Sequence, residues 1–377
     1  MRVGLAAHLL GYPRAARGGV GRYTRCLIDA MARNPNGHEL VVFAGRNGWD
    51  GFPDRSSLLV TRRSSFLTSS LAKRLVWENL LLPLASRAEK IDLFHFTDYG
   101  MPFICPVPRA VITIHDLSFI RFPETLGRAR SAYKRALSRA AVRRARRIVV
   151  DCEAMKGELT RLMGVNPERV AVAGAGVSSN FRPVEDMATL EAVRAKYELP
   201  DRFVLYVGTI EPRKNLGTLA RAMDVLRSTH HLDVPLIIVG PLGWLEGQTF
   251  QSLSASSAQI RAIGFVGEQH LVAVYTLASV LAYPSLYEGF GLPAAEAMAC
   301  GTPVVASDVE ALAETVGDAG LLVDPSDPAK IAEALAAVLT QPELRTDLKM
   351  RGMERTKGFT WERTADNIWR TLYEAVC

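Results

Sequence analysis

Short, almost wholly apolar runs recur along this chain, each followed by apolar residues at helical spacing. That alternation restricts the fold more than any other feature. Pro235-Leu236-Ile237-Ile238-Val239 is typical. A strand covered on one face alternates apolar with polar, so a continuous run belongs in a sheet covered on both. Strands separated by helices assemble into parallel sheets, because parallel neighbours need a crossover connection. We place strands near 2–7, 39–44, 57–61, 91–96, 110–114, 147–151 and 169–173, and again near 203–207, 235–239, 260–265, 279–283, 303–306 and 319–323. At 377 residues the chain exceeds what one core supports. Ser178-Ser179-Asn180-Phe181-Arg182-Pro183 has linker composition, which predicts domains over 1–180 and 181–360 that close about Ser178 to Val184. The tail carries Ala365, Ile368, Trp369, Leu372 and Val376 as a helical stripe that needs cover.

Composition narrows the function classes. No apolar run approaches the roughly 20 residues of a membrane-spanning helix. The N-terminus enters the strand Arg2–Ala6 without a leader pattern, so a cytoplasmic enzyme is expected. Cys26, Cys105, Cys152, Cys300 and Cys377 have no paired spacing; buried thiols are expected, and neither a zinc site nor a disulfide framework. Residues 1–180 hold 28 Lys/Arg against 14 Asp/Glu, net +14, and residues 181–377 hold 17 against 25, net −8, which together give the +6 of the whole chain. A basic half suits an anionic partner. Nine of its cations lie between Arg128 and Arg147, with Ala129, Ala132, Tyr133, Ala136, Leu137, Ala140 and Ala141 at helical spacing. This predicts a basic amphipathic helix over 128–147, either solvated or resting on an anionic membrane or acceptor. Nucleic acid is not expected, because no aromatic platform or recognition module accompanies the charge.

In open parallel sheets ligands bind outside the carboxyl ends of the strands. Tyr287-Glu288-Gly289-Phe290-Gly291-Leu292-Pro293-Ala294-Ala295-Glu296 follows one such end. Its glycines permit close backbone approach, and its helix start turns free amides toward an anion. Glu296, about one turn inside, suits the diol of a ribose, while Glu288 lies before the turn, beside a reacting sugar. An ordinary strand, loop and helix with a capping glutamate would also give such a string. Arg213 and Lys214, after the strand 203–207 and Gly208, set two cations against a diphosphate. There is no Asp-x-Asp sequence to hold a divalent ion. His115 follows the strand 110–114, with Asp116 next to it as the expected orienting group. Gly18 and Gly19 open a helix whose amides suit a diphosphate or an acceptor. Arg17 and Tyr99 are candidates for the acceptor side.

Taken together, these segments resemble the family 4 retaining glycosyltransferases. The resemblance rests on Glu288 and Glu296 with seven residues between them, Gly18-Gly19-Val20-Gly21-Arg22-Tyr23, His115-Asp116-Leu117, Gly176-Val177 with Phe181-Arg182-Pro183, Gly208 through Asn215, and Gly301-Thr302-Pro303-Val304-Val305. It implies an α/β GT-B fold of two facing Rossmann-like domains, acceptor side first and nucleotide sugar second, with the C-terminal helix 361–377 crossing back to the first. It further implies that His115 contacts the donor sugar from the first domain. The donor site would then take in Gly19, Arg213, Lys214, Gly240, Val266, Gly289, Phe290, Gly291, Leu292 and Glu296, with the loop 264–268 holding the base. The expected reaction is metal-independent hexosyl transfer with retention, from a nucleotide-diphosphate sugar to a glycan or lipid-linked acceptor. No other cofactor is expected. The run His115 to Glu124 looks most like mannosyltransferases of surface-polysaccharide assembly, which favours GDP-mannose over UDP- or dTDP-sugars. Another GT-B enzyme, such as an epimerase or a small-metabolite glucosyltransferase, is the alternative, and a non-catalytic two-lobed receptor is a third.

Overall fold

The structure, a computed structural model, describes residues 1–7, 10, 18–44, 59–63, 73, 76–102, 109–241, 253 and 256–377. The chain divides into two compact units: Met1–Arg121 with Arg128–Gly176 and Thr360–Cys377, and Phe122–Gly127 with Val177–Phe359. Each of the thirteen strands expected from the sequence is present among the described residues.

In the first unit β1 (Arg2–Ala6), β2 (Glu39–Ala44), β3 (Leu59–Arg63), β4 (Leu93–Phe96), β5 (Ala110–Ile114), β6 (Arg147–Val150) and β7 (Val170–Val172) form one parallel sheet in the order β3-β2-β1-β4-β5-β6-β7. The order reverses at β1 and β4, which makes a switch point there. The opening helix Gly19–Arg33 buries Tyr23, Leu27, Ile28 and Met31. The closing helix Trp361–Val376 packs on it. Trp369 Nε1 donates to the Asn34 carbonyl at 2.9 Å, and Asn34 Nδ2 donates to Asp366 at 3.0 Å. Trp361, Ala365, Ile368, Trp369 and Leu372 are buried as the stripe requires, but Ala375 completes it and Val376 is half-buried. A period of 3.6 residues brings position 375 over 368 and 372.

The basic helix runs Arg128–Arg144, shorter than expected, since Arg147 already belongs to β6. Its buried row is Ser131, Leu137, Ser138, Ala141 and Val142, while Ala132 and Ala136 are exposed. The stripe is thus turned from the predicted one, because serine is small enough to pack where alanine was expected. Arg169 donates to the carbonyls of Val142 (2.8 Å) and Ala145, closing the helix end. Arg147 is held by the Glu168 carbonyl and by Glu374.

In the second unit β8 (Val204–Val207), β9 (Leu236–Val239), β10 (Ile260–Gly264), β11 (Val280–Tyr283), β12 (Val304–Ser307) and β13 (Leu321–Val323) are parallel, in the order β10-β9-β8-β11-β12-β13. The four inner strands are fully buried, and the edges β10 and β13 are mostly half-buried. The reversal falls between β8 and β11. No helix among the described residues is long and apolar enough to cross a membrane. Cys152 and Cys300 are buried thiols, Cys26 is half-buried and Cys377 is exposed, contrary to the expectation of burial; Cys105 lies outside the described residues.

Candidate active site

The loops after β8 and β11 meet because those strands are neighbours. The first makes a single turn, Pro212–Lys214, then passes through Asn215 at φ 60° into the helix Leu216–Ser228. Asn215 tolerates this left-handed conformation and anchors the turn by donating to the carbonyls of Pro284 (3.1 Å) and Pro325 (2.7 Å). Arg213 and Lys214 thereby face the loop that carries Glu288. Lys214 Nζ contacts Glu288 Oε1 and donates to Tyr283 Oη at 3.1 Å. Arg213 donates to Glu288 Oε2 at 3.3 Å, to the Tyr287 carbonyl at 3.0 Å and to Glu211 at 2.8 Å. Lys214, Glu211 and Glu288 are all buried. The sequence suggested separate sugar and phosphate positions; the fold makes them one cluster of two carboxylates and two cations.

Burial pushes the Glu288 carboxyl up, but Lys214 and Arg213 outweigh it and hold it below its ordinary value. Burial and the neighbouring Arg213 lower the Lys214 ammonium against the opposing pull of Glu288 and Glu211. Burial, reinforced by Glu288, raises the Tyr283 phenol well above its ordinary value, so it stays neutral. The cluster is therefore an ionised carboxylate at a strand end with cations already gathered around it. Such a set can orient sugar hydroxyls and neutralise a diphosphate.

Beside it, the helix Leu292–Ala299 begins after Gly291, whose φ of 94° only glycine adopts readily. A Cβ there would lie 2.4 Å from Leu312 Cδ2. Pro293 stands at the second helical position, since the helix starts at Leu292. Gly289 and Phe290 are buried and Leu292 is half-buried. The Phe290 carbonyl is fixed by Thr315 Oγ1 at 2.6 Å. Glu296 is buried and accepts from Tyr275 Oη at 3.1 Å. Gly240, at the end of β9, packs so closely on β8 that a Cβ would lie 2.0 Å from the Gly208 carbonyl oxygen. Val266 is buried in the loop before the helix Glu268–Leu277, whereas its neighbour Phe265 is exposed.

In the first unit His115 leaves the end of β5. Its Nδ1 lies 2.7 Å from Asp151 Oδ2, at the end of β6, and its Nε2 lies 3.1 Å from the Thr97 carbonyl oxygen, at the end of β4. The orienting carboxylate is thus Asp151. Asp116 Oδ1 instead accepts from Ser118 N (3.0 Å) and Oγ (2.7 Å), capping the next turn. Burial opposes protonation of His115, but Asp151, Asp98 and the Thr97 carbonyl together raise its pKa above the ordinary value of 6.5. Nothing near Asp151 in the sequence marks this pairing, because 36 residues separate the partners. Only the adjacency of β5 and β6 brings them together. Tyr99 is half-buried against Phe119, with Lys134 Nζ 4.4 Å from its ring centre. Gly19 opens its helix with no atom of the described residues within 4 Å of a would-be Cβ. Arg17 lies outside the described residues.

Residues 17–181 match the model of Glycosyltransferase Family 4, and residues 191–355 match that of Glycosyl transferases group 1. The chain is 32% identical over 373 residues to O-antigen chain mannosyltransferase B of Escherichia coli, covering 96% of this chain and 97% of that protein. Among solved structures, sucrose-phosphate synthase of Thermosynechococcus elongatus superposes with a TM-score of 0.75 at 25% identity, covering all of both chains. WaaG, a glycosyltransferase involved in lipopolysaccharide biosynthesis, superposes with a TM-score of 0.73 at 17% identity over 98% of this chain and 99% of that one, which bears on the fold alone. With two parallel sheets, both halves matched and a relative aligned from end to end, the chain belongs to the group 1, family 4 retaining glycosyltransferases of the GT-B fold.

Proposed function

We propose that this glycosyltransferase moves a mannosyl group from GDP-mannose to a hydroxyl of a growing surface glycan or of its lipid-linked precursor. The observation that carries the sugar is the full-length similarity to O-antigen chain mannosyltransferase B. The donor position is supported by the ion cluster at the switch point of the second sheet.

In this reading Glu288 holds the hydroxyls of the donor sugar, Arg213 and Lys214 take the diphosphate, and Glu296, oriented by Tyr275, takes the ribose. Gly240, Val266 and the turn Gly289–Leu292 line the donor, with the amides of the helix start facing its phosphates. His115, Gly19, Tyr99 and Arg17 serve from the first unit. Glu288 is engaged by two cations, which suits an orienting anion better than a nucleophile. Transfer with retention then proceeds on one face of the sugar. The anomeric C–O bond to phosphate breaks, the acceptor oxygen bonds to the same carbon, and the acceptor proton passes to the departing phosphate oxygen. Cations of the protein serve where a metal would otherwise neutralise the diphosphate. The exposed cations of the basic helix, Arg128, Arg130, Arg139 and Arg143, form the contact with an anionic membrane.

The test is donor consumption and product formation with GDP-mannose, UDP- and dTDP-sugars, each with and without a glycan acceptor and with a chelator. GDP-mannose should be consumed fastest, only with acceptor, and undiminished by chelator. Consumption without acceptor would point to another reaction of the fold, and abolition by chelator with rescue by a divalent ion would overturn the metal-free site.

A further inference from the structure

His115 is half-buried among groups that decide its charge. Both ring nitrogens face oxygens that can only accept: the Asp151 carboxylate at 2.7 Å and the Thr97 carbonyl at 3.1 Å. A neutral imidazole has one N–H, so a neutral ring beside a carboxylate would turn a lone pair on one of these oxygens. Asp151 is buried, and its other oxygen has no hydrogen-bond partner among the described residues. A buried carboxylate so placed is stabilised by a cation in contact with it, and His115 is the group in that position.

The remaining neighbours favour the same state. Asp98, at the end of β4, adds a second negative charge, and Asp116 follows His115 in the chain. His95 on β4 is bonded through Nε2 to Thr113 Oγ1 at 2.8 Å, and its burial lowers its pKa to about 3, so it is neutral and does not compete. Tyr23 of the opening helix places its ring 4.3 Å from the imidazole, nearly edge-on, and burial keeps its phenol neutral. From the closing helix comes the uncharged Trp361, 5.2 Å from the Tyr23 ring.

We propose that Asp151 is a positioning residue that locks His115 as an imidazolium with both N–H groups committed to the protein, so that His115 serves transfer as a fixed positive charge and not as a proton carrier. Its contribution to catalysis rests on the reading that His115 lies beside the donor; the lock itself does not. A fixed cation needs no reorganisation as negative charge builds on the departing phosphate.

Nitrogen-15 and carbon-13 spectra of histidine-labelled full-length protein, without ligand, test the lock from about pH 5.5 to 9, the range in which histidines change charge. His115 should show two protonated nitrogens through neutral pH, and Asp151→Asn should bring its deprotonation into that range. In GDP-mannose turnover, D151N should lose roughly 10-fold at low pH and about 100-fold at high pH, the scale of one oriented charge. Asp151→Glu should restore part of the alkaline limb. An unprotonated Nδ1 in the wild type at pH 7 overturns the proposal without any variant, and so does a D151N profile parallel to the wild type. A doubly protonated His115 in a protein that turns over no nucleotide sugar would uphold the lock and count against the proposed function.

Discussion

At the scale of single residues, Glu288 is held by Lys214 and Arg213, and removing it should have two separable effects. Glu288→Gln leaves Lys214 buried beside a neutral amide, which should cost about 3–5 kcal/mol of stability, and it should lower turnover by about two to three orders of magnitude. The double variant Glu288→Gln with Lys214→Met removes both charges and should recover much of the stability but none of the turnover. Urea unfolding and GDP-mannose turnover on the set check this. A single variant as stable as the wild type, or a double variant that regains activity, would refute the assignment. The pH dependence follows in sign. The folded carboxyl lies below its ordinary value of 4.5, so its stabilisation is present above 4.5 and is lost as pH falls through the folded value. Lys214→Met should therefore move the acid-unfolding midpoint up. The residue types of this site were legible in the sequence, and their pairing was not. Lys214 and Glu288 are 74 residues apart, and His115 and Asp151 are 36 apart. Each pair meets because two strands are neighbours, and strand order leaves no trace in a local pattern. Asp116, adjacent in sequence, was the natural expectation for the partner of His115; the chain sends it to cap a turn instead.

At the scale of elements, two helix starts in the proposed site differ in what their glycines do. Gly291 has φ 94° and Leu312 packed where a Cβ would go, so Gly291→Ala should destabilise by more than about 1 kcal/mol and displace the helix start. Gly19 has no atom of the described residues within 4 Å of that position, so Gly19→Ala should leave stability unchanged or raise it by about 0.4–1 kcal/mol. If ligand occupies that space, the same variant should weaken donor or acceptor binding. Thermal melts paired with steady-state kinetics on both variants separate packing from recognition, and a G19A enzyme with wild-type KM values would remove Gly19 from the site. The basic helix makes a second contrast. Its cations were legible, but its buried row was not, since Ser131 and Ser138 take places that a polarity pattern assigns to solvent. Changing Arg128, Arg130, Arg139 and Arg143 to Gln should release the protein from anionic vesicles, at about 1 kcal/mol per cation near a charged surface. Arg147→Gln should act instead on stability, through Glu168 and Glu374. Equal sedimentation of the fourfold variant and the wild type at low salt would dismiss the membrane contact.

At the scale of the whole molecule, two sheets with separate cores are built from one chain whose last helix returns to the first. The existence of the strands and their succession along the chain were legible because each inner strand is a short apolar run covered on both faces, whereas their neighbours in the sheet were not; the ends of the strands shifted by a residue or two and the basic helix stopped three residues early. The arrangement predicts that the two units answer to different perturbations. Trp369 is almost fully buried and its indole donates to Asn34, so Trp369→Ala should cost about 3–5 kcal/mol within the first unit. GDP-mannose, bound chiefly by groups of the second unit in the proposed function, should stabilise that unit by about 2.7 kcal/mol at 100 times its dissociation constant. Calorimetry should then resolve two transitions, one lowered by Trp369→Ala and the other raised by GDP-mannose. The combination of variant and ligand should widen the gap between them, because each acts on its own core. A single transition that moves as a whole under both perturbations would show that the units unfold together, and a ligand shift confined to the transition lowered by Trp369→Ala would place the donor on the first unit.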